Sequence, residues 1–439
     1  MSLRRNPYHR LLRDLEAHYP GITADYEGDP EAADESAEVA VEASARLTLR
    51  GAEAAPEMFD YQSDLVAQFE SVCRSSPPSN VALLALPTGS GKTRTAVVAL
   101  LRLFTKGHAR TALWLAPTRE LLSQAIATAR SAWTAYRAAV DVELVRADRL
   151  RRYPDDLDCG ILFATPHLVA ARIKRGDAPN PDIVVFDEAH HVEAPTFRRV
   201  IEELRKAKRP AVIGLSATPG RTDETQTERL VDFFQGRLLR SEVLDPNPVR
   251  ALQRRGVLAR VGFKDIPVAS RSRLPRARVS LEALSLDTDR FRAVVRLAAR
   301  VSRGGRGLVF TVSVGYAHVA AAALRREGVA ARAVSAYSPD DVRRDTLRDF
   351  ERGALSIVLN KALLATGYDC PAIGHVILAT PIRSAIMFEQ VVGRASRGPQ
   401  VGGNAHSTVW QFEDHLAMHG LPQSYYRYAD YDWKALRRK

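Results

Sequence analysis

The sequence predicts an α/β protein of two tandem domains, each a parallel sheet flanked by helices, behind a short N-terminal extension. Three observations carry this. Five short apolar runs, "VALLALP", "TALWLAP", "CGILFATP", "DIVVFDE" and "AVIGLSATP", follow Ala55 with longer amphipathic stretches between them, an alternation expected of βα units on a parallel sheet. A second series starts at Arg306, "RGLVFTVS", "ARAVSAYS", "SIVLNKA" and "HVILATP", again separated by helical patterns such as "DDVRRDTLRDFERG". Finally, 439 residues exceed one ordinary core, given roughly 100–200 residues per domain.

Taken along the chain, residues 1–55 form the extension. No Lys or Arg occurs from Pro20 to Ala45, while Asp25, Glu27, Asp29, Glu31, Asp34, Glu35, Glu38 and Glu42 crowd that stretch, so it reads as an acidic, mobile arm or as the solvated face of a small added subdomain. Residues 56–240 make the first α/β domain. Residues 241–281, with "PVASRSRLPRARVS", read as a basic linker, because Pro and Arg at that density do not suit a core. Residues 282–439 make the second domain.

Composition narrows the class. Hydrophobic residues at 46% and charged residues at 26% suit a globular protein. No apolar run reaches the ~18 residues of a bilayer span, and "MSLRRNPYHRLLRDLEAHYP" lacks the apolar stretch of a signal peptide, so the expectation is a cytoplasmic protein without a membrane partner. Three scattered cysteines, Cys73, Cys159 and Cys370, support neither a disulfide framework nor a metal cluster. A net charge of +12 favours polyanionic partners.

Chemistry concentrates in a few motifs. "LPTGSGKT" lies between an apolar strand run and a helical pattern. Backbone N–H groups of such a loop converge on phosphate oxygens: Thr88, Gly89, Ser90 and Gly91 supply the turn, Lys92 a point charge, and Thr93 a hydroxyl for Mg²⁺. The strict pattern would place glycine at Leu86, so "PTG" must carry the first turn. A phosphate loop needs a carboxylate pair on a neighbouring strand, and "DIVVFDEAHH" provides Asp187 for the metal and Glu188 as base. His190 and His191 beside Glu193 are adjacent in sequence and cannot share one helix face, which argues against a metal site there. Trp114 and Trp133 read as core.

These motifs, in this order, resemble the superfamily 2 DEAD/DEAH-box helicases and translocases, over about Met58 to Glu413. The closing "TGYDCP" and "TPIRSAIMFEQVVGRASR" are most similar to the branch of type III restriction motor subunits and short stand-alone DNA helicases. The resemblance implies two RecA-like domains with an ATP cleft between them. In "FDYQ" it implies adenine recognition by Gln62. It implies nucleic-acid backbone contacts at Thr118 and Arg119 ("APTRELL"), Thr165 ("TP"), Thr311 ("GLVFTVSVGYA") and Thr366 ("LLATGYDCP"), and ATP contacts at Gly367 and Asp369. Ser216 and Thr218 of "SATP", with His190, would couple the nucleotide site to strand binding.

"QVVGRASR" sets Gln390, Arg394 and Arg397 at i, i+4 and i+7, one face of one helix. An arginine reaching a γ-phosphate held by another domain stabilises the charge in transfer. The expected protein is therefore an ATP- and Mg²⁺-dependent DNA helicase or translocase. Its DNA, single-stranded or duplex, would be gripped by the backbone with tolerance of sequence, and other subunits of a repair or anti-phage defence complex are compatible with it. Two alternatives stay open: an ATP-gated clamp or remodelling subunit that never separates strands, and an RNA helicase.

Overall fold

The computed structural model describes residues 8–25, 46–49, 57–134, 140–154, 157–189, 195–217, 219, 224–267, 280–365, 368–382 and 385–412. These fall into two compact units. Residues 46–49 and 57–252 form one; residues 8–25 and 253–412 form the other.

The first unit is built on eight strands: β1 (Arg46–Leu49), β2 (Val81–Ala85), β3 (Thr111–Leu115), β4 (Val142–Arg146), β5 (Gly160–Ala164), β6 (Ile183–Phe186), β7 (Ala211–Ser216) and β8 (Leu238–Leu239). Their spatial order is β1-β4-β5-β3-β6-β7-β2-β8. Every pairing is parallel except β1 with β4. Parallel strands covered on both faces must be apolar throughout rather than alternating, and β5, β6 and β7 are buried at every position. Trp114 and Trp133 are fully buried, as expected, and the Trp133 indole N–H donates to the Leu49 carbonyl at 2.8 Å, fastening β1 to the domain.

The second unit has six strands: β9 (Arg260–Asp265), β10 (Arg306–Phe310), β11 (Ala331–Val334), β12 (Ile357–Asn360), β13 (Ile373–Leu378) and β14 (His406–Gln411), in the order β11-β12-β10-β13-β14-β9, all parallel. β9 lies within the stretch read as a linker, and it pairs with β14 along its whole length. Its side chains alternate between half-buried and exposed at the sheet's margin, which is why it lacks the apolar run of an inner strand.

Of the acidic stretch Pro20 to Ala45 read as an arm, the structure describes only the first residues, to Asp25. Within the extension, residues 8–25 carry helices His9–Glu16 and Ile22–Asp25, while Arg46–Leu49 is β1 of the first unit. Tyr8, Leu11, Leu12, Leu15, Tyr19 and Ile22 are buried in the same apolar core as Phe291, Val294, Tyr316 and Val319 of the second unit. The apolar residues at 8, 11, 12, 15, 19 and 22 follow a helical period, a signal the dense acidic composition after Pro20 obscures. The acidic stretch 26–45 lies outside the described residues.

Candidate nucleotide site

The phosphate loop runs from the end of β2 into helix Lys92–Thr105. Gly89 and Gly91 both hold φ near +90° (93° and 90°), a conformation that side chains rarely adopt. Gly91 is needed twice over, since a Cβ there would collide with the Gln62 amide. The Ser90 hydroxyl donates to the Pro87 carbonyl at 2.6 Å, and the Thr95 hydroxyl to the Gly91 carbonyl at 3.0 Å. Lys92 and Thr93 open the helix, so their side chains rise from the point where unpaired N–H groups gather.

Gln62, expected to recognise adenine, is buried and engages both ends of its amide inside the protein. Its Oε1 accepts from the Phe59 N–H at 3.2 Å, and its Nε2 donates to the Ser90 carbonyl at 3.1 Å. Tyr61 donates to the same carbonyl at 2.9 Å. The "FDYQ" segment thus braces the loop from beneath, and Tyr61 is a supporting residue that sequence reasoning missed. Its signal was an aromatic one residue before a polar side chain already singled out.

Asp187 and Glu188 follow the C-terminal end of β6, two strands from β2. Asp187 is buried and its carboxyl is pushed up to about 7, first by burial and then by the neighbouring Glu188 charge, with Lys92 opposing. Glu188 has φ 53°, and its N–H donates to Asp187 Oδ1 at 3.0 Å. A positive φ at a non-glycine residue is strain kept where a side chain must be aimed. Ser216 ends β7, the strand between β2 and β6, and its carbonyl accepts the Leu86 N–H at 3.2 Å, so the "SATP" segment abuts the root of the phosphate loop. Strand order alone brings Lys92, Thr93, Asp187, Glu188 and Ser216 to one edge of one sheet. Thr218 and His190 lie outside the described residues.

A divalent cation suits this edge. A buried carboxyl raised by a second carboxylate is a pair that needs positive charge to ionise fully. The Thr93 hydroxyl has no hydrogen-bond partner among the described residues.

The expected strand contacts divide. Thr118 caps helix Arg119–Thr134 by accepting the Leu121 N–H at 3.4 Å, and Thr165 caps helix Pro166–Ile173 by accepting the Leu168 N–H at 3.4 Å. Arg119 is mostly exposed, with Asp148 3.7 Å away. Thr311 corrects its expectation: it is buried, and its hydroxyl donates to the carbonyls of Ser313 at 2.9 Å and Asn360 at 3.2 Å. A buried hydroxyl at a strand end must be satisfied internally, so this side chain turns into the domain. Asn360, overlooked in the sequence, is the hub: it donates to the Val309 carbonyl at 3.2 Å and accepts the Leu364 N–H at 3.0 Å. Thr366 and Gly367 lie outside the described residues.

The arginine motif also needs correction. Helix Ala385–Gly393 carries Gln390 but stops before both arginines. The N–H groups of Arg394, Ala395 and Ser396 turn back to carbonyls three residues earlier, and the Ser396 hydroxyl donates to the Gly393 carbonyl at 2.8 Å. The turn tightens and the helix ends. Arg397 instead bridges Leu258 and sets its Nε 2.8 Å from Asp369 Oδ1. Burial resists ionisation of Asp369, yet the Arg397 charge and hydrogen bond, then Arg394, outweigh it and hold the carboxyl below its usual value. Arg394 donates to the Tyr368 carbonyl. Asp369, Arg394 and Arg397 therefore form one cluster by a route other than a shared helix face.

Sequence profiles match the chain twice: the type III restriction enzyme res subunit over residues 55–221, and the helicase conserved C-terminal domain over residues 289–398. The two matched models lie one in each unit of the chain, so the chain is similar to restriction-enzyme subunits in its first part and to helicases in its second. It is 23% identical over 362 residues to the putative ATP-dependent helicase IRC3 of Saccharomyces cerevisiae, a match covering 78% of this chain and 50% of that one. It is 25% identical over 396 residues to the type I restriction enzyme EcoKI endonuclease subunit of Escherichia coli, covering 77% of this chain and 33% of the other. The structure of Mycobacterium smegmatis helicase Lhr bound to ssDNA and AMP-PNP superposes with a TM-score of 0.59 at 20% identity, over 84% of this chain and 48% of that one. The chain thus spans half or less of the length of these relatives, and it shares the tandem RecA-like fold of the solved helicase.

Proposed function

We propose that this chain is an ATP-dependent DNA translocase or helicase. The reading rests most on one observation: Lys92, Thr93, Asp187 and Glu188 gather at one edge of the first sheet, with Ser216 in the strand between them. Lys92 neutralises the terminal phosphates, and the turn N–H groups fix them. Glu188, aimed by its strained backbone, orients the attacking water and takes its proton. Mg²⁺, held by Thr93 and Asp187, supplies charge neutralisation on the phosphate oxygens when bound with ATP. Arg397, steadied by Asp369, and Arg394 are the arginines that complete hydrolysis from the second RecA-like domain.

DNA is favoured as the track by similarity to a type I restriction endonuclease subunit and to a helicase solved with ssDNA. Capping Thr118 and Thr165 place the exposed Arg119 and two helix N-termini where phosphates can be met without reading bases. ATP turnover measured without nucleic acid and with single-stranded DNA, duplex DNA and RNA, at one salt concentration, tests the reading. Stimulation by DNA above RNA is expected; turnover indifferent to all three overturns it.

A further inference from the structure

The second unit carries a run of positive charge that the nucleotide chemistry does not use. On helix Thr288–Ser302 and its capping residue, Arg296, Arg300 and Arg303 are exposed. At 3.6 residues per turn these positions, with the half-buried Arg292, fall within an arc of ~80° and climb ~16 Å along the axis. The opposite face is apolar, with Phe291, Val294, Val295 and Ala298 buried in the core. Acidic residues lie toward the start of the stripe: Asp289 in the first turn, and Glu327, which bonds the Tyr19 hydroxyl beside Arg292 and Arg296. Charge therefore goes uncompensated toward the C-terminal end of the helix.

A second feature meets the stripe there. Trp410 of β14 stands in register with Lys264 of the marginal strand β9. The Lys264 ammonium lies 5.4 Å and the Arg300 guanidinium 5.2 Å from the centre of the Trp410 ring. The indole N–H donates to His375 Nδ1 at 3.4 Å and so fixes the ring. Burial and then Lys264 hold His375 below its usual value, which keeps it a neutral acceptor. One ring thus draws together two cations from different elements, and no carboxylate pairs with Arg296, Arg300, Arg303 or Lys264 among the described residues. Like charges gathered in this way repel one another, so an anion laid across them is favoured.

We propose that Arg296, Arg300, Arg303 and Lys264 form a second nucleic-acid contact, a surface that takes the phosphate backbone of duplex DNA and not its bases. The choice of DNA rests on the motor reading; the surface itself rests on its charge and on the ring that gathers it. Guanidinium forks match paired phosphate oxygens. The Trp410 ring is already engaged by cations, which leaves no apolar anchor of the kind on which a protein interface centres. The role of the surface is retention: it keeps the chain on its track and leaves the hydrolytic step untouched.

The test replaces Arg296, Arg300 and Arg303 together by Gln in the full chain and reads affinity for a short fluorescent DNA duplex across a salt series. Each lost phosphate contact removes ~0.9 from the slope of log K against log salt, so the slope should shrink by ~2–3 and affinity at low salt should fall at least ~10-fold. Lys264→Gln alone should take away ~1. Melting temperature and DNA-free ATP turnover should hold, since all four side chains are exposed. A control removes the same charge from helix Pro195–Ala207 as Arg198→Gln, Arg199→Gln and Lys206→Gln, where Arg198 and Lys206 are already paired with Glu202 and Glu203; its slope should stay near that of the unmodified protein. An unchanged slope in the stripe variant, with the unmodified protein binding duplex, overturns this surface alone. Equal loss in the control also overturns it, because net charge is then sufficient. Poly-glutamate that binds the unmodified protein more tightly than duplex, and loses that binding in the stripe variant, overturns it in favour of an acidic protein partner. An unmodified protein that binds no DNA overturns the motor reading and this inference with it.

Discussion

Glu188 and Asp187 are neighbours with different tasks, and substitution should separate them. Glu188→Gln keeps size and removes the base, so ATP still binds while turnover falls by orders of magnitude; filter retention of labelled ATP beside phosphate release checks both. Asp187→Asn should also abolish turnover, yet it should stabilise the nucleotide-free protein. Because burial and Glu188 raise the Asp187 carboxyl to about 7, its ionised form is disfavoured in the fold. That penalty grows as pH rises from the ordinary carboxylate value through about 7 and is complete above it. At pH 8 the Asn variant should melt a few degrees higher, at ~2–4 °C per kcal/mol, with the difference vanishing toward pH 4. Equal melting at both pH values would refute the account. For the second domain, Arg397→Ala should cut DNA-stimulated turnover by ~10³ or more with ATP binding largely kept. Arg397→Lys should rescue little, because a flexible ammonium cannot replace a fork held by Asp369.

At the scale of elements, the phosphate loop depends on a glycine that backbone and neighbour both demand. Gly91→Ala adds a Cβ at φ 90° and drives it into the Gln62 amide, so the loop must shift and the Ser90 carbonyl loses a donor. Nucleotide affinity should fall at least tenfold, read by fluorescent-ATP titration, whereas far-UV dichroism should hold. The βα alternation, the phosphate loop and the carboxylates were legible because each follows from local pattern: apolar runs, turn glycines, a strand ending in Asp-Glu. The end of helix Ala385–Gly393 was not, since Arg394 and Arg397 keep helical spacing and it is pairing with the distant Leu258 that pulls Arg397 out of register. Thr311 and Asn360 were similarly hidden. Which way a strand-end hydroxyl turns depends on a carbonyl 49 residues away.

On the scale of the whole molecule, residues 8–25 pack with residues 253–412 although the first domain lies between them in sequence. Composition concealed this: acidic residues after Pro20 suggested a solvated arm, whereas the apolar spacing from Tyr8 to Ile22 serves a partner face more than 260 residues away in sequence. The segment is a structural part of that domain and not an appendage. Removing residues 1–25 should expose the apolar faces of helices Thr288–Ser302 and Val314–Arg326, lower the melting temperature and promote association of the truncated chains. The loss should be reversible in trans. A synthetic peptide of residues 1–25 carries the buried residues described in the native segment, Tyr8, Leu11, Leu12, Leu15, Tyr19 and Ile22, and it should raise the melting temperature of the truncated protein in a concentration-dependent way, as ligand linkage requires. The same peptide with Leu12→Asp should fail, because a carboxylate placed in that core has no partner to compensate its burial. A truncated chain that melts at the unmodified temperature, or a peptide whose effect survives Leu12→Asp, would mean that the second domain is complete without its N-terminal helices.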